Sequence, residues 1–181
     1  MTSKPILTDV KTLRSQARKH IDDGAVTAGY AADRLEVLKL LNEALATEMV
    51  CVLRYRRHHF MARGIHAKST AEGFLVHSDE ELGHADLLAE RIVQLGGEPD
   101  FAPDGLSSRS HAEYVAGSTL VDMIKEDLVA ERIAIDSYRD MILYLGDGDP
   151  TTGQLLRDIL KVEEKHADEL ADLLVGLPQA V

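Results

Sequence analysis

Four long stretches of the chain repeat apolar residues at the three-then-four spacing of one helix face, each bracketed by residues that start or stop a helix. The first covers residues 30–63 and stops at Gly64. The second opens at Ser69, where Ser69-Thr70-Ala71-Glu72 has the form of a capping box, and stops at Gly96 and Gly97. The third covers residues 118–145 and ends at Gly146; the fourth opens at Asp149-Pro150, with proline in the first turn, and closes near Gly176-Leu177-Pro178. All four exceed an ordinary globular helix, which predicts an elongated, all-α four-helix bundle. The first and second stretches are joined by about five residues and the third and fourth by about four, so each pair is expected to be an antiparallel hairpin. Residues 97–117 separate the hairpins and are rich in Gly, Pro, Ser and Asp. Extended, they span on the order of 65 Å, more than the ~40–50 Å of such helices, so one long crossover can return the chain to the other end. Residues 1–29 are expected to be an N-terminal extension with a short helix around residues 9–22, and residues 30–181 the bundle.

Composition narrows the chemistry. Apolar residues are 45% of the 181, enough for a sizeable core, and aromatics only 4%, with no Trp, which suits helices packed through Leu, Ile, Val and Ala. A single cysteine, Cys51, excludes an intrachain disulfide framework, a four-cysteine zinc site and a four-cysteine iron–sulfur cluster. The net charge of −11 argues against nucleic acid as partner of the body and favours cations or small molecules. The N-terminus has no apolar signal-like stretch and no run reaches 18 apolar residues, so a soluble cytoplasmic protein without a membrane partner is expected.

The inward seams can be written out. The first stretch gives Leu38, Leu41, Leu45, Glu48, Val52, Tyr55 and His59; the second Phe74, His77, Glu81, His84, Leu88, Arg91 and Leu95. The third gives Leu120, Ile124, Asp127, Glu131, Ala134, Tyr138, Met141 and Leu145; the fourth Leu156, Ile159, Glu163, His166, Leu170, Leu173 and Leu177. Every apolar stripe is interrupted near its middle by glutamate, and two by histidine as well. Four uncompensated carboxylates facing one core would cost several kcal/mol each, so something cationic belongs there. The spacing repeats: Glu81 lies 33 residues after Glu48, and Glu163 lies 32 after Glu131. Tyr55 and Tyr138 each follow the first glutamate of their hairpin by 7, and Glu-x-x-His occurs in both second helices. The hairpins carry one constellation at one height, as if related by a pseudo-twofold axis. A Glu from each of two helices plus Glu-x-x-His from the other two is the di-metal carboxylate pattern. Oxygen-rich ligands with one imidazole per metal suit two iron ions, with manganese possible, and four carboxylates neutralise two dications.

These residues resemble the ferritin-like superfamily, and within it bacterioferritin and the Dps-like ferritins, over about residues 35–175. The resemblance implies a ferritin-like bundle in which Glu48, Glu81, His84, Glu131, Glu163 and His166 are ferroxidase ligands. It implies Glu81 and Glu163 as bridging carboxylates, Glu48 with His84 completing one metal and Glu131 with His166 the other. Tyr55 matches a tyrosine near the bacterioferritin site, and Asp127 falls where an aspartate can hydrogen-bond a ligand histidine. Three departures stand out. Leu82 occupies the place of the haem-ligating methionine, which argues against haem. Only 15 residues follow His166, too few for the extra C-terminal helix of 24-subunit cages, so a homo-dodecamer is favoured over a 24-mer. The inter-subunit site of ordinary Dps proteins is not evident, and one cysteine cannot supply the pair common in the Dps-like branch.

The implied function is a ferroxidase that oxidises Fe(II) with O₂ or H₂O₂ for iron storage, detoxification and protection against oxidative stress. The alternative on the same ligands is an erythrin-like peroxidase or a manganese-catalase-like enzyme; erythrin-like chains usually add a glutamate from the third helix, and Glu126 and Asp127 leave that open. A further reading is a DNA-protecting shell that uses the basic arm of Lys4, Lys11, Arg14, Arg18 and Lys19, against which the overall charge favours a solvated arm. The basic run at residues 54–59 is read as complementing a helix dipole rather than binding phosphate. His77, one turn from Glu81, is read as a core or surface histidine ahead of a role on an iron path, and Cys51 as a small buried hydrophobe.

Overall fold

The chain forms α1 (Val10–Gln16), α2 (Arg34–Met61), α3 (Ala67–Gln94), α4 (Pro103–Arg109), α5 (Leu120–Leu145) and α6 (Pro150–Gly176), in a computed structural model that describes residues 7–64 and 67–176. No strand occurs among the described residues. The four long helices are those the apolar periodicity predicts, and their ends are chemically marked. The Asp33 side chain accepts from the backbone N–H groups of Leu35 and Glu36, so α2 starts at Arg34 rather than at residue 30. Thr119 and Asp122 close a capping box on α5, whose far end is Gly146 at φ 47°.

Two further expected boundaries shift. The helix α3 is already formed at Ala67, so Ser69–Glu72 lies inside it rather than at its start. Ala67 and Thr70 are buried, which shows that the packed face of the helix begins before Ser69. The N-terminal helix ends at Gln16 rather than near residue 22: His20 takes a left-handed φ of 51°, and no residue of α1 is buried, so tertiary packing does not prolong it. The stop expected at Leu177-Pro178, the seam position Leu177 and Lys4 of the basic arm lie outside the described residues.

The helices pair as two hairpins, α2 with α3 and α5 with α6; α2 faces α5 and α3 faces α6. One end of the interior is a cluster of Val37, Leu41, Leu45, Leu88, Ile92, Leu95, Met141, Leu145, Leu156 and Ile159. The other end gathers Cys51, Tyr55, Phe74, Met123, Ile124 and Leu170. Each fully buried aliphatic or aromatic side chain contributes roughly 1.5–3 kcal/mol, and these two clusters bracket a polar layer at mid-height. Among the described residues no helix is long and apolar enough to cross a membrane.

The crossover is fastened along α2 in register. Asn42 donates to the Glu98 carbonyl at 3.3 Å and accepts from the Asp100 N–H at 2.8 Å. Further along, the His111 N–H donates to Thr47 Oγ1 at 2.9 Å, and Arg54 donates to the Glu113 carbonyl at 3.0 Å. Arg57 donates to the carbonyl of Ala116, which also accepts from His58 Nε2 at 2.9 Å. The basic run at residues 54–59 is therefore largely turned onto the crossover. Residues 97–117 are not wholly irregular, because α4 starts with Pro103 in its first turn and buries Leu106 against Ala46 and Val50 of α2. Gly117 has φ 60°, and a Cβ there would stand 2.8 Å from the Met123 backbone nitrogen, so a side chain is excluded where the crossover meets α5.

A second buried network ties the α5–α6 turn to α3. Asp149 accepts from the Thr152 backbone N–H at 2.9 Å, capping α6, and from Arg91 Nη2 at 2.9 Å and 3.0 Å. The Tyr30 hydroxyl adds a bond at 3.1 Å. Asp149→Ala removes the cap and leaves the buried Arg91 guanidinium without its carboxylate. We expect a loss of about 3–5 kcal/mol in denaturant unfolding, partly recovered when Arg91 is also replaced by methionine. A loss below about 1 kcal/mol would show that the network is incidental.

Candidate metal centre

Mid-height in the bundle, α2 supplies Glu48, α3 supplies Glu81 and His84, α5 supplies Glu131, and α6 supplies Glu163 and His166. Each is no more than 6% exposed. They fall into two overlapping groups whose potential ligand atoms lie within 4.8 Å of one another: Glu48, Glu81, His84 and Glu163, and Glu81, Glu131, Glu163 and His166. Only Glu81 and Glu163 belong to both, and their oxygens divide accordingly. Glu81 sends Oε2 to His84 Nδ1 at 3.0 Å and Oε1 to His166 Nδ1 at 3.2 Å. Glu163 sends Oε1 to His84 at 2.9 Å and Oε2 toward His166 at 3.6 Å. Glu48 approaches His84 alone, at 3.6 Å, and Glu131 approaches His166 alone, at 4.0 Å. One ring N–H cannot satisfy three converging carboxylates, and Glu163 Oε1, although close to His84, completes no hydrogen bond. Among the described residues neither Lys nor Arg forms an ion pair with these four glutamates. Oxygen-rich donors with one imidazole on each side fit two divalent cations of the iron or manganese kind.

The proton inventory has the same symmetry. Burial, then the Glu81 charge, pushes Glu48 up to about 8. Burial, then Glu81 and Glu163, pushes Glu131 well above the usual carboxylate range. Burial and a neighbouring carboxylate act the same way on Glu81 and Glu163, but the two imidazoles outweigh them and hold both below their ordinary value. Burial would lower the histidines, yet the surrounding carboxylates raise His84 to about 12 and His166 to about 10. Near neutral pH the metal-free centre thus holds two carboxylates, two carboxylic acids and two imidazolium ions, which sum to zero. With two dications, four carboxylates and two neutral imidazoles, it again sums to zero.

Tyr55 and Tyr138 extend the pattern. The Tyr55 hydroxyl on α2 donates to Glu131 on α5, and the Tyr138 hydroxyl on α5 donates to Glu48 on α2. Tyr138 was visible as the mirror of Tyr55 in the 7-residue spacing, although only Tyr55 is singled out by the resemblance. Asp127 does not reach a ligand histidine, contrary to the expectation. Its carboxylate accepts from Arg54 Nε at 2.8 Å and faces His58 Nδ1 at 2.8 Å, in a buried network beside the crossover. A one-turn offset from Glu131 aims it at α2 rather than α6. The carboxylate that does hold a candidate ligand histidine is Glu80, 2.6 Å from His166 Nε2. Seam reading overlooked Glu80 because it sits on the half-buried flank of α3 beside the inward Glu81. With Asp127 engaged, and neither it nor Glu126 in a metal-capable cluster among the described residues, no α5 side chain is placed as the extra erythrin-type ligand. A void of about 10 Å³ touches Glu48 beneath Thr47, His111, Ser137 and Tyr138, room for one water-sized molecule.

Residues 38–180 match the ferritin-like domain family. The chain belongs to that family. Relatives of this ferritin-like chain include a bacterioferritin of Mycobacterium avium, 32% identical over 136 residues that make up 75% of this chain and 81% of the relative. A DNA protection during starvation protein of Pyrococcus furiosus is 30% identical over 148 residues, 79% of each chain. Among solved structures, a dodecameric thioferritin, the bacterioferritin-related protein of Bacteroides fragilis, superposes with a TM-score of 0.78 at 27% identity. The match covers 81% of this chain and 88% of that one. Dps from Thermosynechococcus elongatus shares the fold, with a TM-score of 0.74 at 24% identity over 77% and 90% of the two chains. In this ferritin-like bundle Leu82, the residue after Glu81, is exposed on α3.

Loading the centre must exchange protons for metal, because His84, His166, Glu48 and Glu131 all hold protons that a cation displaces. We expect Mn(II) added to metal-free protein near pH 7 to release about four protons per pair of ions, read with an indicator dye in weak buffer. Affinity should rise with pH, and less steeply above about 8, where Glu48 has already lost its proton. The metal-free fold has the opposite trend: stability contributed by protonated Glu48 is full below its unfolded value of 4.5 and is lost as pH rises through about 8. Binding without proton release, or affinity that falls with pH, would contradict this charge assignment.

Proposed function

We propose that this ferritin-like protein is a di-iron ferroxidase that oxidises Fe(II) for storage and detoxification. The observation that carries the reading is the division of Glu81 and Glu163, each giving one oxygen to either half of the centre. Such carboxylates hold two substrate Fe(II) ions side by side, at the ~3.5–4 Å typical of two-metal sites. Glu48 with His84 and Glu131 with His166 complete the two ligand sets. Each Fe(II) gives up one electron. With H₂O₂ as oxidant the two electrons and two protons yield two waters; with O₂ they yield H₂O₂. The bundle supplies a water-poor pocket, and the Tyr55 and Tyr138 hydroxyls hold Glu131 and Glu48 in place. Glu80 fixes the ring of His166 through its outer nitrogen, which leaves Nδ1 facing the pair.

The reading extends to assembly. A homo-dodecamer is supported by likeness to a dodecameric bacterioferritin-related protein, and a hollow shell would give oxidised iron a place to accumulate. Glu81→Ala and Glu163→Ala each remove an oxygen from both halves at once, so we expect either variant to lose Fe(II) oxidation by at least about a hundredfold. Glu48→Ala, which touches one half, should lose less. Stopped-flow absorbance of Fe(III) formation measures all three. Wild-type rates in both shared-ligand variants would overturn the assignment. Rapid peroxide disproportionation without iron retention would move the protein to the peroxide-removing alternative.

A further inference from the structure

The pseudo-twofold relation pairs each residue of α3 with the residue of α6 82 positions later, as Glu81 with Glu163 and His84 with His166. The candidate ligands on α2 and α5 repeat in the same way, and so do the phenols, since Tyr55 holds Glu131 and Tyr138 holds Glu48. By these residues alone the two halves of the centre would take a cation equally well. The tie is broken one layer out, where Glu80 on α3 corresponds to Val162 on α6, and His77 to Ile159.

His166 is gripped on two sides. Its Nε2 lies 2.6 Å from the Glu80 carboxylate, and its ring stacks on that of His77, with centroids 4.0 Å apart and planes 20° from parallel. His77 is buried and itself anchored, with Nδ1 3.3 Å from the Tyr55 hydroxyl and Nε2 3.0 Å from Glu169. Glu80 accepts the Nε2 hydrogen, so the nitrogen left to a metal is Nδ1, which faces Glu81 at 3.2 Å, Glu163 at 3.6 Å and Glu131 at 4.0 Å. His84 also turns Nδ1 to its carboxylates, but among the described residues nothing holds its Nε2. Removing the carboxylate behind a metal-binding histidine typically costs 10–100-fold in affinity, because the ring is no longer oriented in advance and its lone pair is less basic. Glu80 also brings a negative charge to this half alone. Lys165, 3.8 Å from it on a side chain 55% exposed, offsets only part of that charge.

We propose that the two halves of the centre fill in a fixed order and that Glu80 sets it. The first divalent ion enters the set of Glu81, Glu131, Glu163 and His166, and the second completes Glu48 and His84. This order deepens the ferroxidase reading and rests on it. Glu80 is a positioning residue here, acting through His166. Oxidation that draws one electron from each of two Fe(II) ions then waits on the weaker half, so the Glu48 and His84 side governs how the rate depends on Fe(II) concentration.

Anaerobic Mn(II) titration of the metal-free full-length protein separates order from pairing, because an isolated bound ion and an exchange-coupled pair give different electron-paramagnetic signals. In the wild type the first equivalent should give isolated bound ions, and the second should convert them into pairs. Glu48→Gln should keep the tight step and lose the second, whereas Glu131→Gln should lose the tight step. Glu80→Gln, on the half-buried flank of α3, should weaken the tight step about 10–100-fold and leave the other in place, so that pairs appear from the first additions. A merely structural role for Glu80 would weaken both steps alike and lower the unfolding midpoint of the metal-free protein, and that result would overturn the proposal. So would pairs from the first additions in the wild type, or a tight step that survives Glu131→Gln but not Glu48→Gln. Wild-type protein that binds isolated ions and never develops the coupled signal would refute the paired centre itself, and the order with it.

Discussion

Four glutamates at one level of a helical bundle cannot be buried as four charges. The structure keeps that layer neutral by alternating acid with imidazole and by leaving protons on the outer carboxylates, Glu48 and Glu131. Two dications would replace four protons without changing the total. Either filling cancels the charge, so the bundle can close around the layer in both states, and the apolar clusters above and below need not rearrange. A site that loads and unloads cargo benefits from that constancy, because neither state strands an uncompensated charge in the interior.

Much of this was legible in the residue pattern. The long helices, the pairing of hairpins and the six inward Glu and His positions follow from apolar periodicity interrupted at fixed spacing. Such readings are robust because a buried charge on an apolar stripe has few explanations. Three classes of feature escaped. Helix starts depend on which residue first packs, so Ala67 opens α3 ahead of the better-looking Ser69. The short α4 lies in a stretch whose composition reads as loop, and only Pro103 and Leu106 betray it. Partners of buried polar groups depend on which neighbouring helix a side chain turns toward. Asp127 thus meets Arg54 and His58 instead of a ligand histidine, and half-buried Glu80 meets His166.

The near-symmetry of the hairpins also clarifies what is particular to this chain. Where both halves agree, at Glu, Glu-x-x-His and Tyr, the residues converge on the shared centre. Where they disagree, at His77, Glu80 and Glu169, the polar member always lies on the side of His166. The two halves of the centre therefore differ: His166 is backed by the Glu80 carboxylate and the stacked His77 imidazole, whereas the positions that mirror His77, Glu80 and Glu169 hold Ile159, Val162 and Leu87.

The crossed tyrosine bonds have a mechanical consequence. Each hydroxyl is carried by one hairpin and grips a carboxylate of the other, so the pair works as two teeth of a ratchet set in opposite directions. Leucine and isoleucine surfaces tolerate slippage, since one apolar neighbour replaces another. Sliding by one helical turn, ~5.4 Å, would set Tyr55 against Ile135 and Tyr138 against Val52, or Tyr138 against Ala44 and Tyr55 against Asp127, which Arg54 and His58 already engage, so Glu48 and Glu131 lose their phenols in either direction. Vertical alignment of the halves is thereby dictated by two phenolic hydrogens rather than by the greasy bulk of the bundle.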